Sequence, residues 1–192
     1  MNRLIIIGAS GHGLVAADIA KNRYEEIIFL DDNKTDYQKI DSYEKYLDSD
    51  FFVAIGNNEV RRKIFKKLSN LNIVSLIHPT AIIGSNVQIG RGTIVCAGAI
   101  ICPNVKIGES CILNTACSVD HESNLGDFVH VSVGSRVCGN GRIGNMCMLG
   151  AGSVIINNIT IASDTIIGAG GVVIKDITSP GTYAGVPVKR IR

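Results

Sequence analysis

Counting in steps of six from Ile77 to Val173, all seventeen positions are Ile, Val or Leu. The next residue is often small, with glycine at 84, 90, 108, 126, 144, 150 and 168, and the residue four places on is mostly small or β-branched, as in Ala81, Thr93, Ala99, Cys111 and Ser123. A period of six fits neither a 3.6-residue helix nor a heptad. It fits short strands, each ended by a glycine-type turn and each sending one aliphatic side chain inward. Units of this kind stack as a parallel β-helix. At three flats to a coil they make a triangular prism, and seventeen units fill between five and six coils. The general crossover rule favours a right-handed path, but the period alone does not state the hand.

Nothing in the bulk composition competes with this reading. The chain has 192 residues, 46% of them hydrophobic, enough for one or two domains. A net charge of +2, only 5% aromatic residues and no tryptophan argue against a nucleic-acid surface. The start, Met1-Asn2-Arg3, leads straight into a short apolar strand rather than a signal segment, and no run reaches the length of a membrane span. The expected location is the cytoplasm. All six cysteines (96, 102, 111, 117, 138 and 147) lie in the repeat at positions that favour small side chains, without a C-x-x-C pair. They read as packing residues of a reducing compartment rather than metal ligands or disulfides.

Before the repeat, Leu4–Ile7 is an apolar run followed by Gly8-Ala9-Ser10-Gly11-His12-Gly13 and a helix over Leu14–Ala20. Ile27–Leu30 is a second strand ending at Asp31-Asp32. A helical turn is expected near Tyr43–Leu47, and Phe51–Ile55 is a third strand ending at Gly56-Asn57-Asn58. Glu59–Leu68 carries Val60, Ile64 and Leu68 four apart, the pattern of an amphipathic helix. Ile73–Ile77 closes the unit. The order predicts a small parallel sheet with helices on its faces, a Rossmann-like βαβαβ unit. Its glycine turn has two readings. It can cradle a phosphate on backbone N–H groups and the helix dipole, with Asp31-Asp32 where a ribose-binding acid sits. It can equally be a tight turn beside two solvated acids. The G-x-x-G-x-G spacing departs from the usual dinucleotide fingerprint.

Taken together, Gly8-Ala9-Ser10-Gly11-His12-Gly13-Leu14-Val15, Phe29-Leu30-Asp31-Asp32, Ala54-Ile55-Gly56-Asn57-Asn58-Glu59, Leu113-Asn114-Thr115, His121-Glu122, His130-Val131-Ser132-Val133-Gly134 and Ala184-Gly185-Val186-Pro187-Val188-Lys189-Arg190 resemble bacterial nucleotide-sugar N-acetyltransferases of the hexapeptide-repeat family. The resemblance is closest to the UDP-4-amino-sugar acetyltransferases of the bacillosamine pathway. It implies a nucleotide-sugar-binding domain over 1–76, a left-handed β-helix over 77–178 and a C-terminal tail over 179–192. It implies His121 as general base and Glu122 as the acid that raises its basicity. Ser10, Gly11, His12, Asp31, Asp32 and Gly56 match the nucleotide-sugar site, and His130, Ala151 and Ala169 match contacts to acetyl-CoA. It further implies a homotrimer with active sites between subunits, acetyl-CoA as co-substrate and no metal.

The residues support the catalytic expectation independently. Of four histidines, His12, His78, His121 and His130, His121 sits in a polar interruption (Ser118, Asp120, Glu122, Ser123, Asn124) of an otherwise apolar ladder. Two acids flank it, and the sequence does not state whether Asp120 or Glu122 orients it. Imidazole suits removal of a proton from a sugar amine attacking a thioester, and no cysteine stands in an activated setting. The rival acceptors are a GDP-linked amino sugar such as perosamine and a hydroxyl, as in sialic acid O-acetyltransferases. A carbonic-anhydrase-type metal site would need an H-x4-H pair, whereas His121 and His130 are nine apart. A non-catalytic β-helix binding module is the remaining rival. The basic C-terminus, Lys189, Arg190 and Arg192, could meet the CoA phosphates or be a solvated tail.

Overall fold

The computed structural model describes residues 2–192; Met1, which begins the expected N-terminal unit, lies outside the described residues. Leu4–Ile7 is apolar throughout because both faces of its strand are covered. β1 (Arg3–Ile7) is the middle strand of a parallel sheet, between β2 (Glu26–Leu30) and β3 (Asp50–Val53). Side chains alternate across a strand. Leu4 and Ile6 therefore join Phe52, Ala16 and Ala20 in one cluster, while Ile5 and Ile7 join Phe51, Val53, Phe65 and Leu68 in another. α1 (Gly11–Ala20) supplies the first cover and α2 (Asn58–Lys67) the second. A 3-10 helix, Ile40–Tyr46, precedes β3.

Two sequence expectations change here. Ile73–Ile77 does not close this sheet as a fourth strand: Ile73 makes one bridge to Phe51, and Leu76–Ile77 pairs instead with Ile94–Val95. The N–H groups of Leu76 and His78 donate to Thr93 and Val95 in the next coil, which commits the segment to the β-helix. On α2 the buried stripe is not Val60–Ile64–Leu68. Val60 is 46% exposed, and the helix turns Arg61 and Phe65 inward with Leu68 behind them.

The repeat folds as a parallel β-helix of two-residue strands on three faces. The first runs from Leu76–Ile77 to Thr165–Ile167, the second from Ile82–Ile83 to Val172–Val173, and the third from Gln88–Ile89 to Thr160–Ile161. Pairings join residues eighteen apart, as in Ile94, Ile112 and His130. From Val95 to Val173 the aliphatic of each unit is at most 5% exposed, and each contributes about 1.5–3 kcal/mol by burial. The residue four places on also points in, which explains its small size: Ala99, Cys111, Cys117, Ser123 and Ser135 are all buried.

The turns are made differently from the sequence reading. Positive φ does not fall on the glycine after the aliphatic but two residues later, at every sixth residue from Asn86 to Gly170. The glycine after the aliphatic is needed for stacking: a Cβ on Gly90 would lie 2.5 Å from the Gly108 backbone. The left-handed positions form three columns, one per corner. The first corner carries Gly98, Ala116, Gly134, Gly152 and Gly170. The second carries Asn86, Asn104, Glu122, Asn140 and Asn158. The third carries Gly92, Ser110, Phe128, Met146 and Asp164.

The N-terminal half packs on the first face, where Leu76, Ile94, Cys96 and Ile112 share a cluster with Leu4, Ile6 and Ala16. At the third corner Phe128 meets Phe65 edge-on, with ring centres 5.5 Å apart. The C-terminal segment is not a solvated tail. Gly181–Gly185 and Val188–Arg190 form a hairpin that adds to Thr165–Ile167, and Tyr183 and Val188 pack on the end of the prism core. The hairpin covers the last coil on this face and leaves Val188–Arg190 as the edge strand of the sheet. No helix among the described residues is long and apolar enough to cross a membrane.

Candidate active site

The glycines of the first turn do different work. A Cβ at Gly8 or Gly13 would strike backbone, at 2.8 Å from the Ala54 carbonyl oxygen and 2.1 Å from that of Gly8 respectively. At Gly11 and Gly56 nothing lies within 4 Å of a Cβ, so packing does not demand glycine at either. Ser10 caps α1 with extended backbone, and its hydroxyl makes no capping bond. The exposed turn thus presents the start of a helix, where N–H groups lack intrahelical partners and the dipole favours an anion.

Asp31 is not solvated. Its two oxygens accept the N–H groups of Ala9 and Asn33, each at 2.8 Å. Burial raises its carboxyl, but those two donors with Lys34 and Lys39 outweigh it and hold the group below the ordinary range. Asp31 therefore ties the glycine turn to the end of β2. Asp32 is exposed, and its Oδ1 accepts from the Ile40 N–H at 2.9 Å.

Between the N-terminal half and the first face lie His12 and His130. Burial, reinforced by the nearby positive charge of Arg61, pushes each imidazole down to about 4. His130 can be assigned a tautomer. The Asn114 carbonyl oxygen accepts from the Thr115 N–H at 2.8 Å, which leaves the Asn114 amide NH2 to donate to His130 Nε2 at 3.3 Å. The neutral ring then carries its proton on Nδ1 and has no free lone pair, which leaves it poorly suited to act as a base. His12 Nε2 and His130 Nδ1 are buried without a hydrogen-bond partner.

Arg61 was not singled out by sequence reasoning. Its guanidinium, in a residue 1% exposed, donates to the carbonyls of Ser110, Ile55, Gly56 and Phe128 and to Asn58 Oδ1, at 2.8–3.1 Å. An arginine among lysines on an amphipathic helix gives no signal of this. Only the carbonyls of the interface reveal it.

His121 stands at the second corner. Its Nδ1 lies 3.3 Å from Glu122 Oε2, while Asp120 Oδ1 accepts the backbone N–H of His121 at 2.8 Å. Of the two flanking acids, Glu122 meets the ring. With the proton on Nδ1, Nε2 keeps its lone pair toward a cleft of about 730 Å³ lined by Asp120, Glu122, Cys138, Gly139, Asn140 and Arg142. A Cβ at Gly139 would lie 2.7 Å from Nε2. Gly139 and Cys138 were also missed, although the eighteen-residue coil stacks Gly139 on His121 and Cys138 on Asp120. Cys138 is half-buried in this cleft rather than a core packing residue. Ala151 and Ala169 lie exposed at the first corner, stacked through a 2.8 Å bond from Gly170 N–H to the Ala151 carbonyl.

The chain brings His12, Gly56 and His130 together and leaves His121 apart from them. The second corner is the one opposite the first face of a triangular prism, and the N-terminal half covers that face.

Residues 3–68 match the family model described as the PglD N-terminal domain. Over 113 residues the chain is 32% identical to the UDP-N-acetylbacillosamine N-acetyltransferase of Bacillus subtilis, a stretch covering 50% of this chain and 52% of that protein, about half of its length. Over its whole length it superposes on the acetyltransferase domain of PglB from Neisseria gonorrhoeae in complex with acetyl coenzyme A, with 36% identity, a TM-score of 0.94 and all of that chain covered. The chain belongs to the nucleotide-sugar N-acetyltransferase family. A second member, PerB from Caulobacter crescentus in complex with CoA and GDP-perosamine, is 31% identical with a TM-score of 0.95, covering 100% of this chain and 98% of that one. The family resemblance read from the motifs thus extends through both halves of the molecule.

Proposed function

We propose that the protein transfers an acetyl group from acetyl-CoA to the 4-amino group of a UDP-linked 4-amino-4,6-dideoxy sugar. The observation that carries this reading is the His121–Glu122 pair, with Nε2 open to a cleft, in a chain that matches acetyltransferases over its whole length. His121 Nε2 takes the proton from the sugar ammonium, and the freed nitrogen attacks the thioester carbon. As the tetrahedral adduct collapses, the carbon–sulfur bond breaks, the imidazolium returns its proton to the departing thiolate, and the new amide nitrogen releases its second proton to solvent. Glu122 holds the Nδ1–H and so fixes the tautomer that leaves Nε2 free to take the proton. Both substrates are bound together, so no acyl-enzyme forms and proximity supplies much of the rate.

The glycine turn with Ser10, Gly11 and His12, together with Asp32 and Gly56, receives the nucleotide sugar, and Asp31 holds that turn in place. His130, Ala151 and Ala169 contact acetyl-CoA, the two alanines leaving the first corner low enough for an extended ligand. Because His121 and the His12–His130 side lie on opposite parts of one chain, the site is completed by a neighbouring copy in a homotrimer. A GDP-linked amino sugar is the second reading, supported by the full-length likeness to PerB bound to GDP-perosamine.

Thiol release from acetyl-CoA, measured with UDP-4-amino-4,6-dideoxy sugars, GDP-perosamine and sialic acid, tests both. Turnover confined to the UDP amines supports the first reading, and turnover with GDP-perosamine the second. Turnover with sialic acid alone moves the acceptor from nitrogen to oxygen, and inactivity with all three refutes the assignment.

A further inference from the structure

Arg61 takes no part in the chemistry above, yet its surroundings tie it to the site. It sits on α2 and reaches across the seam between the two halves. Its donors grip the Ile55 and Gly56 carbonyls on one side and the Ser110 and Phe128 carbonyls on the other. Gly56 belongs to the proposed nucleotide-sugar site, and Phe128 is two residues before His130. Buried polar groups at an interface are normally satisfied, but this arrangement exceeds satisfaction. One planar fork sets the separation of two short segments that must hold two substrates in register.

We propose that Arg61 is a positioning residue that fixes the Gly56 turn and the His130 strand in one geometry and places an uncompensated positive charge beside His12 and His130. None of its five acceptors is a carboxylate. A guanidinium is far better suited to this than an ammonium, because its five donors lie in a fixed plane and it stays charged when buried. The groups that face the two imidazoles are each other, Arg61, the Gly56 carbonyl and the Asn114 amide. A further titratable group that bears on the guanidinium is Cys111, whose thiol is pushed up to about 12, chiefly by burial, and so stays neutral. With no anion in the cluster, both rings stay neutral and act as hydrogen-bonding groups rather than charges.

The kinetic part of this inference rests on the acetyltransferase reading; the titration part does not. In the full-length protein, Arg61→Met and Arg61→Lys are compared with the wild type by imidazole ¹⁵N titration, by steady-state kinetics and by thermal unfolding. Arg61→Met is expected to raise the protonation midpoint of His12 or His130 by about one pH unit, a tenfold change in proton affinity. It is expected to raise KM for acetyl-CoA, which His130 contacts, and above all KM for the amino sugar, by about tenfold or more, through misplacement. Arg61→Lys keeps the charge without the fork, so it should leave the midpoints in place and still raise that KM. If Arg61→Met does not fold, Asn58→Ala, which removes one acceptor of the fork and the bonds from Asn58 to the Met146 and Cys147 carbonyls, is expected to raise the same KM. A fall in Tm alone, with midpoints and both KM values at wild-type levels, overturns the proposal. Should the wild type transfer no acetyl group, the functional reading fails, and the titration midpoints still decide the role of Arg61.

Discussion

Glu122 occupies a column otherwise made of asparagine. Asn86, Asn104, Asn140 and Asn158 share its corner and its positive φ, and neighbouring pairs are linked by side-chain bonds of 3.2 and 3.0 Å. Asparagine tolerates this conformation better than most residues, whereas side chains with a Cβ generally lose about 1–2 kcal/mol there. Glutamate is therefore the costlier choice for the fold, which makes Glu122→Asn an informative change. Its Tm should equal or exceed the wild-type value while kcat falls about tenfold or more, since the acid that holds Nδ1–H is gone. A lowered Tm with unaltered kcat would assign Glu122 to folding instead. For His121→Asn, kcat should drop by about 10²–10⁴-fold with calorimetric acetyl-CoA binding intact. His121 was singled out in the sequence because a polar cluster has no structural reason to interrupt an apolar ladder; Glu122 was preferred over Asp120 from the family resemblance alone, and the contact to the ring is what the structure adds. Arg61 was not singled out, because its burial comes from carbonyls more than forty residues away in sequence.

At the scale of the short strands and their turns, two classes of glycine look alike in sequence and differ in cause. Gly108 follows an inward aliphatic and faces the next coil, where a Cβ would lie 2.7 Å from the Asp127 nitrogen. Gly98 has φ +66, and a Cβ there would meet only the Ala116 Cα, in ordinary contact at 4.0 Å. One coil further on, Ala116 already holds the same conformation at φ 54. Gly98→Ala should thus cost about 1 kcal/mol, the ordinary left-handed penalty. Gly108→Ala must push two stacked coils apart and should cost several times that, on the order of a core overpacking change. Urea midpoints of the two variants measure the difference, and equal midpoints would mean that the coils can separate freely. The repeat period was readable because a single inward aliphatic recurs without exception. The turn position was not, because Asn, Ser, Phe and Met adopt left-handed backbone here without any glycine to mark it. The two closing segments were misread for a related reason. Ile73–Ile77 and the chain after 178 have compositions that suit several roles, and which sheet edge lies beside them decides between those roles.

For the whole molecule, the seam between the halves and the surface left uncovered carry separate predictions. His12 and His130 take up protons in the folded chain only near pH 4, against an ordinary value of 6.5. Between those values the unfolded chain binds more protons, so stability is fully present above about pH 6.5 and is lost as pH falls toward 4. The loss is roughly 3 kcal/mol per histidine by linkage, read as a falling urea midpoint that His130→Asn should flatten in part. The uncovered surface points to assembly. His121 and Glu122 are 59% and 65% exposed, and a pair so open to water contributes little by itself. Ile82 and Ile100 on the second face and Val133 at its first corner are apolar and 39–61% exposed. A patch of this kind on the second face and its first corner calls for a partner, and the opposite placement of His121 and His130 calls for a second copy of the site. Light scattering should give three times the 20.5 kDa chain mass. Ile82→Asp with Ile100→Asp should yield a folded monomer, by circular dichroism, that has lost acetyl transfer. Were that monomer as active as the wild type, one chain would hold a complete site, and the separation of His121 from the His12–His130 side would have no catalytic meaning.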